Sequence, residues 1–194
     1  SDVYKRQIGY LGRLHPYKRP DALIKAWARL KEETVGFELL FMGKGTDEYE
    51  QYLHKLVDDL HLKNVSFLGM VTGEDKFKRL TSMRVLCVPS KTENFGMTVA
   101  EALIAQTPVI CTKTAPWEEL NTRHCGWWVD NDIDTLAQTI REALLLPQSE
   151  IDKMGENGKL LIETNYTDTQ IALKMKQLYE WILTGGEKPE FVYE

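Results

Sequence analysis

A chain of 194 residues, 43% apolar and 27% charged, has the material for one well-buried globular domain and little room for a second. Its net charge of −5 argues against a general nucleic-acid binder, since such domains are ordinarily basic, and leaves room for a local cationic pocket. No apolar run approaches the roughly 18 residues that span a bilayer, and no signal peptide precedes the first strand, so a cytoplasmic protein is expected.

The first seven residues, Ser1-Asp2-Val3-Tyr4-Lys5-Arg6-Gln7, can be encoded as TCAGATGTGTATAAGAGACAG, which looks like a transposon-end adapter used in sequencing libraries. Residues 1–7 are therefore expected to be non-native and to carry no fold information. From residue 8 onward, short apolar runs alternate with amphipathic segments. Strands are predicted over 8–12, 37–42, 65–68, 85–88 and 108–111, with a sixth candidate over 126–129. Their near-continuous hydrophobicity suits a parallel sheet buried on both faces. Helices are predicted over 19–32, 47–60, 74–83, 96–106 and 134–146, then 150–164 and 168–184. In the first, Leu23, Ala26, Trp27 and Leu30 fall on one stripe, and Pro20-Asp21 suits a first helical turn. In the last, Ile171, Met175, Leu178 and Ile182 make another stripe. The expected fold is α/β: a doubly wound, Rossmann-like parallel sheet of about six strands flanked by helices, with extra C-terminal helices. It would occupy residues 8–184, with 185–194 a tail. Cys87, Cys111 and Cys125 have no CxxC spacing and point to buried, reduced thiols rather than a disulfide framework or a zinc site.

In an open α/β sheet ligands bind beyond the carboxyl ends of the strands, and the polar features of this chain fall there. After the first strand come Gly12, which permits close backbone approach, and Arg13 and Lys18, cations able to clamp a diphosphate or simply to be solvated. His15 on the same loop reads as structural or exposed. After the second strand, Gly43-Lys44-Gly45 fails the dinucleotide fingerprint, because Glu48 stands where the third glycine belongs, and it fails the P-loop pattern as well. It is either a glycine-permitted bend beside a ligand or a plain turn. After the third strand, Gly69-Met70-Val71 offers backbone groups. After the fourth, Pro89-Ser90-Lys91-Thr92 leads into Glu93, and the amides of Asn94, Phe95, Gly96 and Met97 would lie at a helix N-terminus that favours an anion. Glu101 follows Glu93 by eight positions, a carboxylate able to accept from two adjacent hydroxyls or to offset the helix dipole.

This order of motifs, with Pro-Ser, Glu-Asn-Phe-Gly-Met, Glu-Ala-Leu and then Pro-Val-Ile, resembles the donor-binding C-terminal domain of a retaining GT-B glycosyltransferase, of the glycosyl transferases group 1 and glycogen synthase-like family. The run Ala115-Pro116-Trp117-Glu118-Glu119-Leu120 is most similar to bacterial polysaccharide or lipopolysaccharide transferases. The resemblance implies transfer of a sugar from a UDP- or GDP-sugar to an acceptor hydroxyl with retention; Arg13 and Lys18 are expected to take the place of a divalent metal, and no other cofactor is expected. Arg13 and Lys18 would hold the diphosphate, Glu93 the donor sugar and Glu101 the ribose, with Gly12, Gly43, Gly45, Met70, Val71 and the amides of Asn94, Phe95, Gly96 and Met97 completing the donor site. It also implies a sugar or lipid-linked acceptor held by an N-terminal domain absent from this chain, peripheral association of the full enzyme with the inner face of the membrane, and self-association through an uncovered C-terminal helix. The chain departs from the family at Gln106, where relatives have glycine, and at Thr114-Ala115-Pro116-Trp117, in place of a glycine-rich turn. A nucleotide-sugar epimerase or phosphorylase on the same fold, and a non-catalytic nucleotide-binding module, remain alternatives.

Overall fold

The computed structural model describes residues 5–30, 32–189 and 191–192. Six strands make one sheet in the order β3-β2-β1-β4-β5-β6: β1 Gln7–Leu11, β2 Glu38–Met42, β3 Val65–Gly69, β4 Val85–Val88, β5 Val109–Thr112 and β6 Gly126–Val129. Every neighbouring pair is parallel. The helices are α1 Pro20–Ala28, α2 Asp47–Asp59, α3 Gly73–Ser82, α4 Met97–Ile104, α5 Glu119–Thr122, α6 Ile133–Leu145, α7 Gln148–Asn165 and α8 Asp168–Thr184.

The strands alternate their side chains between two cores, which is why they read as continuous apolar runs. Leu39 and Phe41 join one core with Leu23, Trp27 and Leu30 of the α1 segment, Leu53 of α2 and Ile140 of α6. Leu40 and Met42 join the other with Leu80 of α3, Val99 and Leu103 of α4, and Leu161 of α7. Each large apolar side chain fully buried in this way contributes roughly 1.5–3 kcal/mol. Burial pushes the Cys111 and Cys125 thiols up to about 12 and Cys87 higher still, so all three remain neutral. At the base of the sheet the buried Arg84 guanidinium donates to the carbonyls of Ala143 and Leu146 and to Gln148 Oε1, tying β4 to the junction of α6 and α7.

Several boundaries differ from the sequence expectation. The first helix stops at Ala28, where Arg29 and Leu30 close back on Ala26 and Trp27, and the chain turns through 32–36 into β2; Lys31 lies outside the described residues. Helix α5 is too short for a periodic signal. Gln106 takes the left-handed conformation (φ 58°) that glycine adopts more readily at a helix end. Residues 1–4 of the segment expected to be non-native lie outside the described residues. Its last residues do take part in the fold: Gln7 opens β1 opposite Glu38, and the Arg6 carbonyl accepts from the Glu38 amide at 3.0 Å. Strand pairing uses backbone groups that any residue except proline supplies in full.

The strand order reverses between β1 and β4. The chain leaves β1 for α1, on one face, and leaves β4 for α4, on the other. That divergence opens a crevice at the carboxyl end of the sheet.

Candidate functional site

Past the ends of β1 and β2 the two chains stay in register. Gly12 N donates to the Met42 carbonyl at 3.0 Å, Leu14 N to the Lys44 carbonyl at 2.9 Å, and Leu14 pairs with Gly45 in an isolated parallel bridge. This close run explains the glycines. A Cβ on Gly43 would sit 1.8 Å from the Gly12 carbonyl oxygen, and one on Gly45 would sit 2.3 Å from that of Leu14. The buried Tyr10 hydroxyl donates to the Arg13 carbonyl at 2.7 Å and fixes the loop from below. Burial, with Tyr49 and Glu93 nearby, raises that phenol well above its usual pKa, so it remains a donor.

Over these loops lies an open cleft of about 1320 Å³. Of the sequence-predicted residues it is lined by Gly12, Arg13, Gly43, Gly45, Met70 and Val71. Arg13, Lys44 and Lys91 also border it, all exposed and none paired with a carboxylate among the described residues.

The remaining predicted residues form a second group along the turn from β4 into α4, outside the lining of that cleft. A single 3-10 turn, Pro16–Lys18, carries Lys18 across to this group, where its Nζ reaches both Glu93 oxygens at 2.6 and 2.8 Å. The turn is held by His15, whose Nδ1 accepts from Tyr17 N at 3.3 Å and whose ring stacks on Tyr17. The Lys91 amide donates to the Tyr17 carbonyl at 2.7 Å, so backbone joins the two groups as well. His15 is thus structural in its contacts, although it also lines the cleft.

Gly96 caps α4 in the left-handed region (φ 81°), and its Cβ position is only 3.3 Å from Trp117 Nε1. That indole N–H donates to the Phe95 carbonyl, and the Phe95, Trp117 and Tyr166 rings pack with centroids 5.1–5.6 Å apart. The Phe95 side chain is therefore packing, and only its backbone faces the turn. Among the described residues no acceptor meets the amides of Asn94, Phe95, Gly96 or Met97; Gly96 and Met97 stand at the positive end of α4, and the other two lie in the turn just before it. Helix α4 has no acid in its first turn. Glu101 sits further in and receives Lys76 Nζ of α3 at 2.6 Å, so it does not serve as a first-turn dipole partner.

Two features escaped the sequence reading. Arg19 takes a left-handed conformation (φ 54°) between the 3-10 turn and α1, and donates to the Asn131 carbonyl at 3.0 Å across the cleft wall. The only local signal was Pro20, which disfavours a right-handed helical residue before it. Asp-x-Asp spacing also occurs, at Asp130, Asp132 and Asp134. Asp130 pairs with Lys113 at 2.9 Å, Asp132 caps α6 by accepting from the Thr135 amide at 2.8 Å, and Asp134 pairs with Arg29. The bonds from Thr135 hold the Asp132 carboxyl below its usual pKa. Among the described residues no three His, Cys, Asp or Glu stand close enough to hold a metal ion.

Residues 2–161 match the family model described as glycosyl transferases group 1. A GDP-mannose-dependent monoacylated alpha-(1-6)-phosphatidylinositol monomannoside mannosyltransferase of Corynebacterium glutamicum is 29% identical over 163 residues, 80% of this chain and 42% of that protein. The Neurospora crassa alpha-1,3/1,6-mannosyltransferase alg-2 is 27% identical over 84% of this chain and 41% of its own length. The chain thus spans less than half the length of these relatives. Among solved structures, Anabaena HepE in complex with UDP superposes with a TM-score of 0.78 at 20% identity, over 92% of this chain and 50% of that one. The C-terminal domain of the Francisella tularensis group 1 family protein LpcC gives 0.73 at 22% identity, over 84% of this chain and 86% of that one. At these identities the likeness is one of fold.

Proposed function

The chain belongs to the glycosyl transferases group 1 family, and from that premise we propose that it is the donor-binding half of a retaining glycosyltransferase acting in bacterial cell-surface polysaccharide or lipopolysaccharide synthesis. The observation that carries the reading is the Lys18–Glu93 contact, which joins the loops after β1 and β4 at the switch point, beside the turn into α4 whose amides from Asn94 to Met97 meet no acceptor among the described residues. The diphosphate is proposed to bind between Arg13 in the cleft and the Lys18-bearing turn beside those amides. Gly43 and Gly45 let the loops after β1 and β2 run together as the floor of the cleft, which Gly12 also lines, and Met70 and Val71 border it where a base would lie. Glu93 then faces the sugar and Glu101 the ribose diol.

In transfer with retention, the acceptor hydroxyl attacks on the face from which the diphosphate departs, and a phosphate oxygen takes the hydroxyl proton. The task left to this half is to stabilise charge on the leaving group. Lys18, held by Glu93, and the amides at the turn into α4 are set before the reaction begins, and Arg13 joins them from the cleft. These cations stand in for a divalent metal. The acceptor belongs to a second domain outside this chain. The UDP in the Anabaena structure and the GDP-mannose dependence of the Corynebacterium relative both favour a nucleotide sugar and leave the base as UDP or GDP. No helix among the described residues is long and apolar enough to cross a membrane; the full enzyme is proposed to work peripherally at its inner face.

Calorimetric titration of the chain with UDP, GDP, ADP and their common sugar conjugates tests the reading. One nucleotide should bind saturably, and Glu101→Ala should weaken it by roughly 1.5–3 kcal/mol, the worth of hydrogen bonds to a charged group. A folded chain that binds none of them, or binds equally well without Glu101, would reject the assignment.

A further inference from the structure

We propose that Lys76 is a positioning residue for Glu101 and, through it, sets the preference for ribose over deoxyribose in the bound nucleotide; the inference rests on the nucleotide reading above. Lys76 lies on α3, which follows the Met70-Val71 edge of the cleft, and its Nζ meets Glu101 Oε1 at 2.6 Å. The other oxygen, Oε2, accepts no hydrogen bond from the described residues. The carboxylate is thus held at one oxygen and presents the other.

A glutamate on a helix surface has several rotamers, and ordering it costs entropy that each contact must offset. Lys76 meets that cost before a ligand arrives, so Glu101 enters binding already aimed. The pair has little to do with folding. Its side chains are 29% and 33% exposed, and ion pairs of that exposure add little to stability. Helix α3 is anchored elsewhere, by buried Leu80 and by the Thr107 hydroxyl on the Leu80 carbonyl. Glu93 is also met by a lysine, Lys18 from a different loop, but at both of its oxygens. Each acid of the motif is therefore oriented by a lysine far from it in sequence.

The test is calorimetric titration of UDP, GDP and ADP, each beside its 2′-deoxy form, with the unaltered chain, Lys76→Met and Lys76→Arg, and a thermal melt of each. The unaltered chain should prefer the ribonucleotide by on the order of tenfold, the worth of one charge-assisted hydrogen bond. Lys76→Met should bring that ratio to within about threefold of unity while Tm stays within about 3 °C, as loss of a surface pair predicts. Lys76→Arg should restore the ratio. A ribose preference unchanged in Lys76→Met overturns the inference alone. If the unaltered chain binds none of the three, or binds ribo and deoxy forms equally, the ribose reading of Glu101 fails and the inference falls with it.

Discussion

Adding one methyl group at Gly43 would place carbon 1.8 Å from the Gly12 carbonyl oxygen, at a residue whose φ of 158° already disfavours a side chain. The loops after β1 and β2 would have to part. We expect Gly43→Ala to cost roughly 1–3 kcal/mol from overpacking, with backbone strain adding a comparable amount. Gly73→Ala is the control: its φ is 58°, but nothing lies within 4 Å, so only the backbone term of about 1 kcal/mol remains. Urea midpoints of the two variants should separate clearly, and equal midpoints would show that the loops can yield. The sequence announced glycine at these positions without saying why. The reason is a backbone meeting backbone across two loops, which no local pattern encodes. The same holds for the ion pairs. Glu93 and Glu101 could be singled out from a single stretch of chain, whereas Lys18 finds Glu93 from 75 residues away and Lys76 finds Glu101 from 25.

Among the elements, the turn into α4 depends on a residue that belongs to another loop. Trp117 is fully buried, and its indole N–H satisfies the Phe95 carbonyl one residue before the Gly96 cap. Trp117→Phe keeps an aromatic ring in the cluster but leaves that carbonyl without its donor. It should destabilise the domain by about 1–3 kcal/mol, and it should weaken nucleotide binding more than Gly73→Ala does, because the amides of α4 lose their fixed setting. Unfolding curves and calorimetry on the two variants decide this. The position was legible only as a departure from the family's glycine-rich turn. The long elements were legible because burial imposes its period on them: each predicted strand is present, and the seven predicted helices shift mostly at their ends. The misses are where tertiary contact overrides local pattern, as at the early end of α1, the four-residue α5 and the left-handed Arg19.

For the molecule as a whole, the helix that closes the chain is the exception to its packing. Helix α8 touches α7 but buries none of its residues, and Ile182 and Leu183 are 62% and 82% exposed. Ile182→Ser should therefore change stability by less than about 0.5 kcal/mol. An uncovered apolar strip also predicts association between copies at rising concentration. Sedimentation velocity should show it, and Ile171→Glu with Ile182→Glu should abolish it; a chain that stays monomeric throughout would show that this strip does not join copies. The sheet carries a consequence of another kind. Every strand pair is parallel, so no hairpin can seed the fold, and each pairing must wait for a crossover to close. The central pair is the most distant, since Ile8 meets Val85 only after α1, β2, α2, β3 and α3 have been laid down between them. On the ribosome the β1 edge facing β4 stays open while all of that chain emerges, an unpaired apolar edge of the sort that invites aggregation or a chaperone. The crevice between β1 and β4 comes into being only when that edge is closed.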